Sequence, residues 1–142
     1  MSSFKAFDIA GSGMAAQSVR LNTTASNLAN AESVSGDPNT VYKPRHPVFE
    51  AVRQQLAAGA QAQDSGAAVR VSGIYESQAP ATQRYEPGNP LADANGYVYE
   101  PSVNSVEEMV NMISASRSYQ NDVEVMNTSK ELLLATLRLG QG

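Results

Sequence analysis

Glu76, Glu86 and Glu100 are the first residues whose chemistry needs weighing. Two carboxylates roughly 5–10 Å apart in an apolar pocket can hydrolyse a glycosidic bond. Nothing in the local pattern brings two of these three into such a pocket. Asp93, Asn95, Gly96 and Glu100 are residue types found in a calcium loop, but their spacing fails and a turn is the better reading. His46 is the single histidine and sits between Arg45 and Pro47. One histidine makes neither a triad nor a metal cluster, so it reads as a loop residue. Gly11-Ser12-Gly13 has the look of part of a phosphate loop. It lacks a preceding strand, a lysine and a third glycine, which leaves helix–helix packing as its use. The sequons at Asn22 and Asn127 fall inside predicted helices and read as chance. The sequence therefore predicts no catalytic residue, no cofactor site and no metal site, and no enzyme.

What remains is "TASNLANAES", residues 24–33. Asn27 and Asn30 stand three apart at the end of a predicted helix, with Leu28 the only large apolar side chain. Asparagine is a poor helix-interior residue because its amide competes for backbone hydrogen bonds. The two are expected to bond backbone where the helix hands over to the next segment. The same corner is expected to be fastened against a neighbouring helix in an assembly.

The elements around this corner are legible from periodicity. Over 4–31, Phe7, Met14, Leu21 and Leu28 recur every seven residues with small residues beside them, a heptad seam open to close approach of another helix. Gly11 and Gly13 each cost a helix interior about 1 kcal/mol, so packing must hold it. Over 103–139, Met109, Met112, Tyr119, Val123, Met126, Leu133 and Leu137 follow a three-four repeat with no Pro or Gly until Gly140. Ser105 and Glu108 have capping-box spacing. Ser116 and Lys130 interrupt the repeat, and the Lys130 stem reads as snorkelling to the edge.

Between the helices lie all 7 prolines. Val41 to Phe49 reads as an extended run, Val69 to Tyr75 and Thr82 to Tyr85 as strands, and 86–90 and 93–100 as turns, the latter with an Asn-Gly signal. Residues 56–68 read as a mobile loop. The expected fold is mainly α: two long terminal helices pairing as an antiparallel coiled coil, with a small β-rich, Pro/Gly-rich insert. The division is 1–35, 36–102 and 103–142. Val106, Val110, Ile113 and Leu134 fall off the main seam and call for a further partner.

Composition narrows the function. The 142 residues suit one domain, yet aromatics are only 6% and Trp is absent, so the chain's own core should be small. The net charge of −4, with scattered lysines and arginines, argues against a nucleic-acid partner. The absence of Cys rules out disulfides and thiolate metal sites. No stretch approaches the roughly 20 apolar residues of a membrane span. The start has no apolar signal-peptide run, so the chain is expected to stay in the cytosol or to leave without a cleaved signal.

"FDIAGSGMAAQSVRLNTTASNLANAES", residues 7–33, resembles the N-terminal signature of bacterial flagellar axial proteins, the rod and hook group. "SNLANAES" matches that group's Asn-Leu-Ala-Asn-Ala core. "YEPGNPLADANGYVYEPSVNSVEEMVNMISASRSYQNDVEVMNTSKELLLATL", residues 85–137, is more specific and is similar to the proximal-rod branch. Asn89 stands where that branch usually has His, Leu91 where it has Asp, and Gln120 where it has an acidic residue. The likeness is weak over 51–68.

The resemblance implies a structural subunit of the basal-body rod in the periplasm, exported by the flagellar type III system without cleavage. It implies terminal helices in the inner layers of a tubular drive shaft and an insert facing outward. Its implied partners are the rod proteins FlgB, FlgF and FlgG, the adaptor FliE, further copies of the chain and the export gate. Phe4, Phe7 and Ile9 resemble the export-recognition segment of such substrates, with a core role as the alternative. A second class of function fits the same elements: a soluble helical adaptor or chaperone of a type III export system forming a small oligomer.

Overall fold

The computed structural model describes residues 3–53 and 66–140, with side chains from residue 5 to 52 and from 66 to 140. Six elements succeed one another: α1 (Ser3–Ala29), β1 (Arg45–Arg53), β2 (Ala67–Glu76), β3 (Thr82–Tyr85), β4 (Tyr97–Glu100) and α2 (Ser105–Leu139). Two helices thus flank a small β region of two two-stranded sheets, β1 with β2 and β3 with β4. Of the expected mobile loop, residues 56–65 lie outside the described residues, and Ala67 and Ala68 already belong to β2.

α2 begins where its cap places it. The Asn104 side-chain oxygen accepts the Val106 and Glu107 amides at 3.1 and 3.3 Å, satisfying donors that a helix start leaves without partners. Glu107 and Glu108 in the first turn and Arg138 in the last complement the helix dipole. The capping box expected from Ser105 and Glu108 is displaced by one residue. Asn104 takes the capping role, one residue before the helix start, and the Glu108 carboxylate accepts from Asn27 instead. At the end of α1 the Asn30 side chain donates to the Ser26 carbonyl at 2.8 Å, and the Ser33 hydroxyl donates to the Asn30 carbonyl at 2.7 Å.

The expected turn over 93–100 is half turn and half strand. Asp93 accepts the Asn95 and Tyr97 amides at 2.8 and 2.9 Å, and Gly96 takes φ 82°, a conformation glycine adopts without steric cost. The turn delivers Tyr97–Glu100 antiparallel to β3, with Thr82 opposite Glu100 and Tyr85 opposite Tyr97. The rings of the last pair meet edge to face at 5.1 Å. Ser35 bridges to Tyr99 on the other side of β4, which encloses Val98 completely.

The chain divides into two compact units. One gathers Met1–Val19, Val48–Gly73 and Ser114–Gly142; the other gathers Arg20–Pro47 and Ile74–Ile113. Each draws on both helices and on the β region. Among the described residues, the buried apolar set is made of small side chains: Ala10, Ala16, Val41, Val98 and Ala115, with Pro44 and Pro101. Thr23, Thr24, Asn27, Glu108 and Ser129 are buried as well. A core so small and so polar leaves most large apolar side chains outside it.

Candidate functional site

The residues weighed for chemistry are engaged in structure. Glu86 and Glu100 both pair with the Arg84 guanidinium, and Glu76 pairs with Arg45 at 3.0 Å. Asn89 donates to Glu86 at 3.0 Å, and together with Arg84 this holds the Glu86 carboxyl below its ordinary range. A glycosidase acid needs the opposite shift. Asp93, the first residue of the calcium-like stretch, spends its carboxylate on turn amides and on the Tyr99 hydroxyl at 3.3 Å. Those amides hold its pKa below the ordinary value, the Tyr97 bond foremost. His46 is exposed at the start of β1. Among the described residues, no group of three or more His, Cys, Asp or Glu could hold a metal.

Asn27 is the centre of a buried polar arrangement. It is 0% exposed. Its amide nitrogen donates to the Arg45 carbonyl at 2.9 Å and to Glu108 Oε2 at 3.1 Å. Its amide oxygen accepts the Arg45 amide at 2.8 Å and the Tyr42 hydroxyl at 2.9 Å. Both donors and both lone pairs of the side chain are used. The amide binds the N–H and the C=O of one residue, as a neighbouring strand would, and so ties the start of β1 to α1. Burial pushes the Tyr42 hydroxyl above the usual tyrosine range, Glu108 and Glu76 adding to the rise and Arg45 opposing it. Pairing with Glu76 occupies the Arg45 side chain while its backbone serves Asn27. The sequence pointed to Asn27 as a backbone binder. It did not point to Glu108, Tyr42 or Arg45 as its partners, because these lie up to 81 positions away.

In the other unit, the Gly11-Ser12-Gly13 triplet packs against α2 and β2. A Cβ at Gly11 would lie 3.5 Å from Met126 Cε, and one at Gly13 would lie 2.6 Å from Asp122 Oδ2. Ser12 accepts the Val69 amide at 3.1 Å while donating to the Ile9 carbonyl at 2.7 Å. Burial pushes the Asp122 carboxyl above its ordinary range.

The expected seam residues occupy varied positions. Met14, Leu21, Leu28, Met112, Tyr119, Val123, Met126 and Leu133 are half-buried, as are Ile9 and Asn30. Phe7, Met109 and Leu137 are exposed, Leu137 by 62%. The side chain of Phe4 lies outside the described residues. The stripe of α2 that is most enclosed is instead the column Glu108, Ala115 and Ser129, with Asp122 half-buried within it. Small and polar residues give no hydrophobic signal, which is why periodicity passed over that column. Val106, Val110 and Ile113 stand 66%, 61% and 55% exposed, and Leu134 is exposed as well.

The apolar residues left exposed on α2 put the chain with proteins whose surfaces bind partners. Comparison with known proteins gives that class its family. Residues 7–36 match the flagella basal body rod protein family, and residues 94–139 match the flagellar basal body rod FlgEFG protein C-terminal family. The chain is 57% identical to the flagellar basal-body rod protein FlgC of Salmonella typhimurium over 95% of its own length and 96% of that protein. It is 52% identical to FlgC of Yersinia enterocolitica over 99% and 100%, and 42% identical to that of Aquifex aeolicus over 96% of each. The chain belongs to the FlgC family of flagellar basal-body rod proteins. It is a structural subunit of the flagellar basal body, not an enzyme, and it assembles with other rod components. No helix among the described residues is long and apolar enough to cross a membrane.

Proposed function

We propose that the two helices pair as an antiparallel coiled coil inside the proximal rod, and that the apolar residues they leave outside are covered by neighbouring subunits. The observation that carries this is the exposure of Val106, Val110 and Ile113, at i, i+4 and i+7 on one face of α2. The antiparallel sense is supported within each unit. Gly11 and Gly13 face Met126 and Asp122 in one, and Arg20 and Asn27 bond to Asn111 and Glu108 in the other. In both, the contact moves back along α2 as it moves forward along α1.

Torque then passes through many parallel helix contacts, and no single residue carries a reaction. The chain is read in three functional segments, 1–35 and 103–142 as the helical layers and 36–102 as the outward insert. The neighbours are FlgB, FlgF and FlgG, the adaptor FliE and further copies of the chain, in a rod crossing the periplasm. Export runs through the flagellar type III gate, with Phe4, Phe7 and Ile9 as the recognised segment. Phe7, Met14, Leu21 and Leu28 pair with Met112, Tyr119, Val123, Met126 and Leu133. Asn27 and Asn30 secure the junction, and Met109 and Leu137 face other subunits.

Leu28→Asp or Val123→Asp abolishes rod incorporation while the protein is still made, because a charge is forced into a contact between apolar side chains. Immunoblots of isolated basal bodies test this. Wild-type amounts of either variant in the rod would remove the pairing set.

A further inference from the structure

We propose that Asn27 is the register-setting residue of the helix pair, reading Glu108 as its mark on α2; this rests on the antiparallel pairing proposed above. The large seam residues Met112, Tyr119, Met126 and Leu133 themselves recur every seven positions, so the seam says little about register. Along α2 the enclosed column repeats every seven residues as Glu108, Ala115, Asp122 and Ser129. A slip of one heptad exchanges one small or polar residue for another and moves little apolar surface into water. Arg20 does not prevent such a slip. Its present acceptor, the Asn111 side-chain oxygen at 3.1 Å, has an amide seven residues before it, Asn104, and a hydroxyl seven residues after it, Ser118. A long guanidinium stem reaches any of the three.

Asn27 has no such freedom. Its amide is closed on three sides by Tyr42 and by the Arg45 N–H and C=O, and the remaining donor points at Glu108. A slip forward sets that donor against Ala115, which accepts nothing. A slip backward sets it before the start of α2. Either leaves a buried N–H unpaired and the Glu108 carboxylate without its donor, the costly side of the hydrogen-bond balance. A single buried asparagine fixes register in coiled coils by the same logic.

The test exchanges donor and acceptor. In cells relying on this chain for their rod, Asn27→Asp sets an acceptor against both Glu108 and the Arg45 carbonyl. It lowers incorporation at least about tenfold, the fold-change of the lost bond to the charged group alone. Glu108→Gln alone loses less than Asn27→Asp, since its amide oxygen still accepts from Asn27 but without the charge. Combining the two restores part of the loss, because the new glutamine amide donates to the new aspartate carboxylate. Wild-type incorporation of the Asn27→Asp variant, or a double variant no better than the single, overturns the inference. The pairing on which it rests is read separately. The chain has no cysteine, and Gly13→Cys with Asp122→Cys places two thiols where a Cβ lies 2.9 Å from Asp122 Cγ. Oxidised basal bodies should contain that disulfide within one chain. Its absence from assembled rods removes the antiparallel pairing, whatever the Asn27 variants do.

Discussion

A side chain that uses every hydrogen-bonding position it has is under tight chemical constraint, and Asn27 is in that state. Its neighbour Tyr42 must keep a proton in order to donate to it. Burial holds the Tyr42 pKa above the ordinary value of 10.0, so at alkaline pH the folded chain retains a proton that the unfolded chain has lost. The native state binds more protons there, and stability falls as pH rises past about 10. Tyr42→Phe should flatten that part of the pH profile while lowering stability at neutral pH by about 1 kcal/mol, the net value of one such bond. Urea unfolding at pH 7 and at stepwise higher pH measures both. An unchanged alkaline slope in the Phe variant would separate Tyr42 from this titration. The sequence marked Asn27 through its local misfit in a helix, but a misfit names no partners. Glu108 looked like half of a capping box because spacing shows the near neighbour and not the distant one.

At the scale of the elements, both helices and the strand Thr82–Tyr85 follow from periodicity and composition. β4 did not, because Tyr97 to Glu100 directly follows an Asn-Gly turn and is only four residues long. Its strand character comes from pairing with β3 and with Ser35, which are tertiary contacts. The enclosed face of α2 was equally hidden, since Ala115, Ser129 and Glu108 are not residues that mark a core by type. The cap offers a clean measurement. Asn104→Ala removes the acceptor for the Val106 and Glu107 amides and should destabilise α2 by about 1 kcal/mol, against a smaller loss for Asn104→Ser. Thermal melts of the three chains rank them, and equal stability of all three would mean that another group caps the helix.

At the scale of the whole chain, buried apolar side chains are few and small among the described residues, while Val106, Val110, Ile113, Leu132, Leu134 and Leu137 remain exposed along α2. That imbalance was legible in composition, where low aromatic content already implied a modest core. A subunit of the flagellar basal-body rod has a use for such surface, because neighbours in a polymer can bury what the single chain cannot. In the register proposed for it, the Asn27 junction would align the helix pair before the subunit joins its neighbours. The most direct measurement is a density map of isolated basal bodies resolved to side chains. The expected result is this chain in the proximal rod, with Val106, Val110 and Ile113 covered by adjacent subunits and Asn27 still bonded to Glu108 of its own chain. Finding those three residues facing solvent in the assembled rod would contradict it.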